Sequence, residues 1–373
     1  MRLGLGYTVI RPWSDYGLPV EEQTLPAAFR AAGYQTAMSG KWHLGHAYRK
    51  FLPNSRGFDR SYGHLNGAID YYTHIREAGL DWHRDGKTIT EEGYATDLIG
   101  AEAVRRIRER DKSKPLMLYV PFNSPHAPLQ APPELIGKYA SISDKRRRTY
   151  AAMVDAMDMN VGRILGALRD EEIENDTIVL FFSDNGGPLA QGANNGSLRG
   201  AKGSTFEGGI RVPACIRYPG RIKAGGEIRQ VIAAWDIFPT LAAAAQVAPG
   251  NRRAFDGANL WPVLTGSAPA RQREDLFFSV DSGNDTRLAV ISREWKLVME
   301  EPRQGGGRRS YLFRIEEDPD ETKDLSEANP AIVNDLAARI EKWRATAPTH
   351  SERGSDSLPA GFKAPARWAD AAR

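Results

Sequence analysis

The run "TIVLFFSDNGG", residues 177–187, constrains the fold of this chain more than any other segment. Its β-branched and aromatic residues show no polar alternation, the pattern of a strand covered on both faces. "QTAMS" (35–39) and "KPLMLYVPF" (114–122) read the same way, and helical patterns lie between such runs. "TLPAAFRAAGY" is a short helix with Thr24 as N-cap, Pro26 in its first turn and Gly33 as its stop. "TDLIGAEAVRRIRER" is a second, capped by Thr96, with Ile99, Ala103 and Ile107 toward the core. From about Arg147 to Leu168, Tyr150, Met153, Val154, Met157, Val161, Ile164, Leu165 and Leu168 recur at helical spacing. Apolar strands alternating with such helices predict an α/β fold, a mostly parallel sheet sandwiched by helices. From about residue 256 the runs "LFFSV", "RLAVISREWKLVME" and "RRSYLFRIEED" predict a smaller C-terminal α+β domain with an antiparallel sheet, closed by the helix "PAIVNDLAARIEKWRATA". The expected division is 1–255, 256–347 and a tail 348–373 lying over the surface or loose.

In open parallel sheets, ligands bind beyond the carboxyl ends of the strands. The residues just beyond each apolar run are therefore informative. "GKWHLG" brings Lys41 and His43, "NSPHAP" brings His126, and "SDNGG" brings Asp184 and Asn185. "NNGSLRGAKGSTFEGG", just before the strand-like "VPACIRYP", carries Arg199, Lys202 and Glu207. Together these form one candidate site. Asp184 and Asn185 offer hard oxygen donors, which suit Ca²⁺ or Mg²⁺ better than zinc, although two side chains are too few for a complete site. Lys41, Lys202, His43 and His126 offer donors and positive charge for a tetrahedral oxyanion such as sulfate or phosphate. Two histidines can exchange protons with a nucleophile and a leaving group. Taken singly, "DNGG" reads as a turn, His126 as a loop histidine and each lysine as a surface charge; convergence on one sheet edge is what favours a site. His46, His64, His74 and His83 read as residues lining or covering a pocket, and Asp155 and Asp158 receive no role.

Composition bounds the partners. Lys plus Arg number 50 against 47 Asp plus Glu, with the signs interspersed, which gives no field for nucleic acid. No apolar run approaches the roughly 20 residues that span a bilayer. The single cysteine, Cys215, excludes an internal disulfide and a cysteine zinc cluster, and its strand-like setting reads as a buried structural thiol. No secretory signal is visible in "MRLGLGYTVIRPW". The oligomeric state has no sequence signal.

"GKWHLG", "NSPHAPL", "FFSDNGG" and "LRGAKGSTFEGGIRVP", in this order, resemble the sulfatases of the alkaline-phosphatase superfamily, and "YLFRIEEDPDETKDL" resembles their C-terminal domain. The likeness runs from about Gly4 to Trp343. "LGLGYTVIRPW", "SRGFDRSYGHLNGAIDYYTH" and "LDWHRDGK" resemble the arylsulfatase B type, which includes N-acetylgalactosamine-4-sulfatase. The resemblance implies hydrolysis of a small-molecule or saccharide sulfate ester by a Ca²⁺-dependent formylglycine mechanism. Asp184 and Asn185 would be Ca²⁺ ligands; Lys41 and His43 would hold the nucleophile's oxygens, with His43 helping expel sulfate; His126 and Lys202 would bind the ester and steady or protonate the leaving oxygen. Periplasmic, secreted or lysosomal placement follows by analogy only. The family makes its nucleophile from a "C-x-P-S-R" type motif and takes further metal ligands from a paired "DD"; neither occurs here, and Cys215 is followed by Ile-Arg-Tyr-Pro. The expectation is therefore a chain lacking the nucleophile segment, unable as written to turn over sulfate esters and weak in Ca²⁺ affinity. An inactive remnant, a sulfated-glycan-binding protein and a phosphoryl-transfer relative are the alternatives.

Overall fold

Gln35–Lys41 is the fourth strand of a five-stranded sheet whose order is Lys87–Thr88, His83–Arg84, Arg60–His64, Gln35–Lys41, Leu116–Tyr119. It runs parallel to Arg60–His64 on one side and to Leu116–Tyr119 on the other. Its five central residues are buried, as an apolar run without alternation requires. The two short strands beyond Arg60–His64 pair antiparallel, so the sheet is parallel at its centre and mixed at one edge. The computed structural model describes residues 3–7, 9–250, 254–270, 274–282, 284–348 and 358–373. They form two compact units that interleave along the chain: Ile10–Val179, Arg217–Pro269 and Ala360–Arg373 in the larger, Met1–Val9, Leu180–Ile216 and Ala270–Pro359 in the smaller.

In the larger unit, helix Leu25–Ala31 is capped by Thr24, whose hydroxyl accepts from the Ala27 N–H at 3.3 Å. Helix Ala95–Arg108 departs from the expected cap. Thr96 lies inside its first turn, fully buried, because the Tyr71 carbonyl accepts from the Ala95 N–H at 2.8 Å and starts the helix without a capping side chain. Ile99, Ala103 and Ile107 are buried as the spacing predicts. Helix Lys145–Asp170 begins at Asp144, whose carboxylate accepts from Arg146 and Arg147 N–H. Its buried face is narrower than the periodicity indicates: Ala152, Met153, Ala156, Asn160, Ala167 and Leu168 are buried, while Val154 is exposed. Gly100 explains the narrowing, since a Cβ there would lie 2.1 Å from Asn160 Oδ1. The close approach of the two helices is local to Gly100 and Asn160, while Ile99 and Met153 pack in the same cluster.

The smaller unit holds an antiparallel sheet in sequential order, Leu276–Asp281, Asp285–Ser292, Trp295–Pro302 and Arg309–Arg314. Alternate residues face opposite ways. Leu288, Val290, Leu297, Met299 and Leu312 pack against Leu336 and Ile340 of helix Pro330–Arg344. Ala289, Val298 and Phe313 pack against Phe206. Both faces are thus covered, one by a helix and one by the loop around residue 206. Lys296 shares the second face and has no exposure, and its ammonium meets Glu207 and Glu321, each at 2.8 Å.

Three expectations are corrected. Val179–Phe182 is a strand, yet Phe181 and Phe182 are exposed and it pairs only with Ala214–Arg217 among the described residues, so its covering is thinner than its composition predicts. Cys215, on that partner strand, is exposed for the same reason rather than a buried thiol. The tail is not loose at its end: Trp368, Ala369 and Ala372 are buried against Met38, Trp42 and Leu65, and Trp368 Nε1 donates to the Arg76 carbonyl at 3.0 Å. Residues 349–357 of that tail lie outside the described residues. Among the described residues no helix is long and apolar enough to cross a membrane.

Candidate functional site

Lys41, His43 and His126 belong to the larger unit, and Asp184, Asn185 and Lys202 to the smaller. In the larger unit, Lys41 ends strand Gln35–Lys41, and its N–H donates to the Pro121 carbonyl at 2.8 Å. The next N–H groups, of Trp42 and His43, donate to the His64 and Leu65 carbonyls at 2.9 and 3.0 Å. Two glycines permit this convergence of three backbones. A Cβ on Gly40, at φ +137°, would sit 2.1 Å from the Pro121 oxygen, and one on Gly63, at φ +124°, would sit 2.2 Å from the Gly40 oxygen. The strand ends are thereby pinched together at the carboxyl edge of the sheet, where the sequence pattern placed a site.

His43 has a left-handed backbone, φ +56°, which a histidine adopts only when its surroundings enforce it. Its Nε2 lies 2.8 Å from the Ile10 carbonyl. A carbonyl only accepts, so Nε2 carries the proton of the neutral ring and Nδ1 keeps the lone pair. Burial pushes the imidazole down to about 3; Lys41 adds to this, and His126 and His46 push the same way against the Ile10 hydrogen bond. The ring is therefore a neutral base throughout the neutral range. The His126 Nδ1 lies 2.8 Å from the Ala127 carbonyl, so this nitrogen carries a proton. The Tyr71 hydroxyl meets the carbonyls of both Asn123 and His126, at 2.9 and 2.8 Å, and anchors this loop to the sheet.

The remaining histidines correct an expectation. His46, His64, His74 and His83 are all buried in the core instead of lining a pocket. His74 stacks on Trp82 with centroids 4.3 Å apart, and His46 meets Trp368 edge-on at 5.0 Å. Burial holds the His64 imidazole well below its usual range and the His83 imidazole down to about 4.

In the smaller unit the scaffold is backbone. Gly186 N–H donates to the Gly209 carbonyl at 2.9 Å, and Lys202 N–H to the Gly187 carbonyl at 3.3 Å. Asn195 stitches the loop: its Oδ1 accepts from Gly187 N–H at 2.9 Å and its Nδ2 reaches the carbonyls of Gly187, Gly200 and Gly208 at 2.9–3.2 Å. A Cβ on Gly186 would lie 1.8 Å from the Gly208 oxygen. Asp184 and Lys202 are exposed at the surface of this loop, and Asn185 is half-buried. The structure thus brings Asp184, Asn185 and Lys202 onto one scaffold. Arg199 and Glu207, which the sequence groups with Lys202, are engaged by other partners, Glu207 buried and Arg199 still exposed. Arg199 lies 4.2 Å from the Phe206 ring centroid and donates to the Glu321 carbonyl, and Glu207 is buried against Lys296.

The oxygen chemistry of Asp184 and Asn185 suits Ca²⁺, but the count falls short. Among the described residues no group of three or more His, Cys, Asp or Glu is placed to hold a metal ion. The residues do not compose a complete metal site, and no chemical step is derived through one. Sequence reasoning missed Asn195, Lys296, Glu321 and Asp81. A polar residue in a glycine-rich loop, a lysine in an apolar strand and acids in loops carry no pattern that separates them from solvated neighbours.

The family model described as Sulfatase matches residues 4–247, and that of the N-sulphoglucosamine sulphohydrolase C-terminal domain matches 201–346. Arylsulfatase J of Mus musculus is 29% identical over 97% of this chain and 69% of its own length. N-acetylgalactosamine-6-sulfatase of Homo sapiens is 34% identical over 66% of this chain and 49% of its own, so the chain spans about half of that relative. The solved structure of Ps i-CgsB in complex with k-i-k-neocarrahexaose superposes with a TM-score of 0.86 at 31% identity, covering 95% of this chain and 81% of that one. A structure solved with its substrate D-glucosamine-2-N,6-O-disulfate, at TM-score 0.72 and 22% identity over 89% of this chain and 83% of that one, shares the fold alone.

Proposed function

Since this chain belongs to the sulfatase family, we propose that it acts on sulfuric esters of a saccharide, with Lys41, His43, His126 and Lys202 as the groups that handle the ester. The observation that carries this reading is His43, a histidine held neutral beside Lys41 and His126 at the carboxyl edge of the parallel strands. A sulfate ester presents oxygens that carry negative charge, and hydrolysis builds charge on the bridging oxygen as the S–O bond breaks. In this reading Lys41 and Lys202 neutralise the sulfuryl oxygens. His43, at the Nδ1 lone pair that its Nε2–H bond to Ile10 leaves, takes the proton of the attacking hydroxyl. His126, in its doubly protonated form, gives the Nε2 proton to the leaving sugar oxygen and returns to the neutral ring with Nδ1–H on the Ala127 carbonyl. A saccharide is the favoured substrate class because a structural relative at 31% identity was solved with a neocarrahexaose.

In the family a divalent cation and a formylglycine supply Lewis acidity and the nucleophile. Asp184 and Asn185 are the oxygen donors we assign toward Ca²⁺, and no residue of this chain is assigned as nucleophile. A second reading is recognition of sulfated saccharides without turnover, which needs only the anion-binding groups Lys41, His126 and Lys202. One assay separates them: inorganic sulfate released from 4-nitrocatechol sulfate and from a sulfated carrageenan oligosaccharide, with Lys202→Ala as control. Release above the control supports the hydrolase. Saccharide binding that depends on sulfation, without release, supports the binder. Absence of both contradicts the assignment of these residues to sulfate esters.

A further inference from the structure

Asp81 has 1% exposure, and its carboxylate is held mainly by backbone. Oδ1 accepts from the Leu65 N–H at 2.9 Å, and Oδ2 accepts from the Asn66 N–H at 2.8 Å and from Asn66 Nδ2 at 3.0 Å. Leu65 and Asn66 are as buried as Asp81, so water does not replace the carboxylate as their acceptor. The same short turn governs His43 twice. The Leu65 carbonyl accepts from the His43 N–H, and Gly67 lies against the imidazole so closely that a Cβ there would be 2.4 Å from Cε1 and 2.5 Å from Nε2.

We propose that Asp81 is a positioning residue for His43: its carboxylate fixes the Leu65–Gly67 turn, and the turn sets both the left-handed backbone of His43 and the place of its ring. The assignment rests on reading His43 as a reactive base, but the contacts themselves do not depend on turnover. Removing the carboxylate leaves one buried N–H facing an amide NH₂, and the turn must shift to relieve the contact. His43 then loses its backbone acceptor and its packing together. A reactive atom displaced by about 1 Å is expected to lose about a hundredfold in rate.

The test uses the full chain and Asp81→Asn, with the His43 imidazole followed by NMR from pH 5 to 8, because burial raises the Asp81 carboxyl and lower pH would protonate it in the parent chain as well. The chain has 7 histidines, and His43→Gln assigns the resonance. In the starting protein burial holds the His43 imidazole down to about 3, so the ring is expected to stay neutral over this range. In Asp81→Asn the midpoint is expected to rise into this range, toward the solvated value, as the ring leaves its packed place. The direction is diagnostic, because loss of a negative charge by itself moves a histidine the other way. If Asp81→Asn gives no cooperative melt, Gly67→Ala carries the test, since its methyl drives into the ring and is expected to produce the same rise. A cooperative melt with an unchanged or lowered His43 midpoint in the variant tested overturns the proposal. Absence of both sulfate release and sulfate-dependent binding in the parent chain would contradict the functional reading while leaving this measurement intact.

Discussion

His43 and Lys202 reach their positions by different means. His43 stands at the end of a buried strand, and its surroundings hold it from three sides: the Asp81 carboxylate behind the turn, the Ile10 carbonyl on Nε2, and a close-packed Gly67. Lys202 stands on a loop in which backbone meets backbone, with Gly186, Gly187, Gly200, Gly208 and Gly209 permitting the approach and Asn195 joining three carbonyls. Below that loop, the buried Lys296 with Glu207 and Glu321 ties it to the antiparallel sheet. The difference fits the roles proposed for the two groups. A base tuned by burial needs a dry setting, whereas a lysine that meets a soluble anion has to stay in water, so its precision comes from the main chain beneath it.

The comparison breaks most visibly at Lys296. Lys296→Met leaves two glutamates buried without their cation, and a loss of about 3–5 kcal/mol is expected in urea unfolding. Replacing Glu207 and Glu321 as well by Met or Gln is expected to recover much of that loss, because the penalty is an unpaired buried charge. Recovery would identify the cluster as a tie; persistence of the full loss would mean that its packing carries the stability.

Acid acts on the other cluster. The folded state holds His43 down to about 3 and His83 down to about 4, while both titrate near 6.5 when unfolded. Between these values the unfolded chain binds more protons, so stability is full above about pH 6.5 and falls as pH drops toward 3–4. At pH 4 the loss is at most about 3 kcal/mol per histidine by that linkage. Melting temperature followed from pH 8 to pH 4 reads it, and His43→Gln is expected to flatten the slope. Asn195→Ala is smaller, about 1–3 kcal/mol, because buried carbonyls and one N–H lose their partner. Its sharper sign is local: hydrogen exchange at Gly187 and Lys202 is expected to quicken while the His43 resonance stays in place. Smallest is Arg60→Ala, which removes a 3.1 Å pair with Asp85 whose arginine side chain is 64% exposed. A change within about 0.5 kcal/mol is expected.

The sequence made some of this legible and hid the rest. Helices Leu25–Ala31, Ala95–Arg108 and Lys145–Asp170 follow from their periodicity, and the antiparallel sheet follows from short β-branched runs with turns between them. The proposed site residues were picked out by their place beyond the apolar runs, where chemistry gathers in parallel sheets; Lys41 does end a strand with parallel neighbours, whereas Val179–Phe182, before Asp184, lies in a separate two-stranded sheet. The hidden part depends on contacts remote in sequence. Thr96 has the composition of a cap, but a carbonyl from Tyr71 outranks it. Phe181 and Cys215 have the composition of a core, but exposure is set by the elements across the sheet. Asp81 resembles any loop acid until Leu65 and Asn66 are seen to donate to it.

The most direct measurement is calorimetric binding of one oligosaccharide in its sulfated and chemically desulfated forms to the full chain, Lys41→Ala and Lys202→Ala. Sulfate-dependent binding that weakens at least about tenfold in each variant is the predicted result, since each loses a charge-assisted contact. Equal affinity for the two forms, or variants that bind as well as the parent chain, would contradict the claim that these side chains act on a sulfate ester.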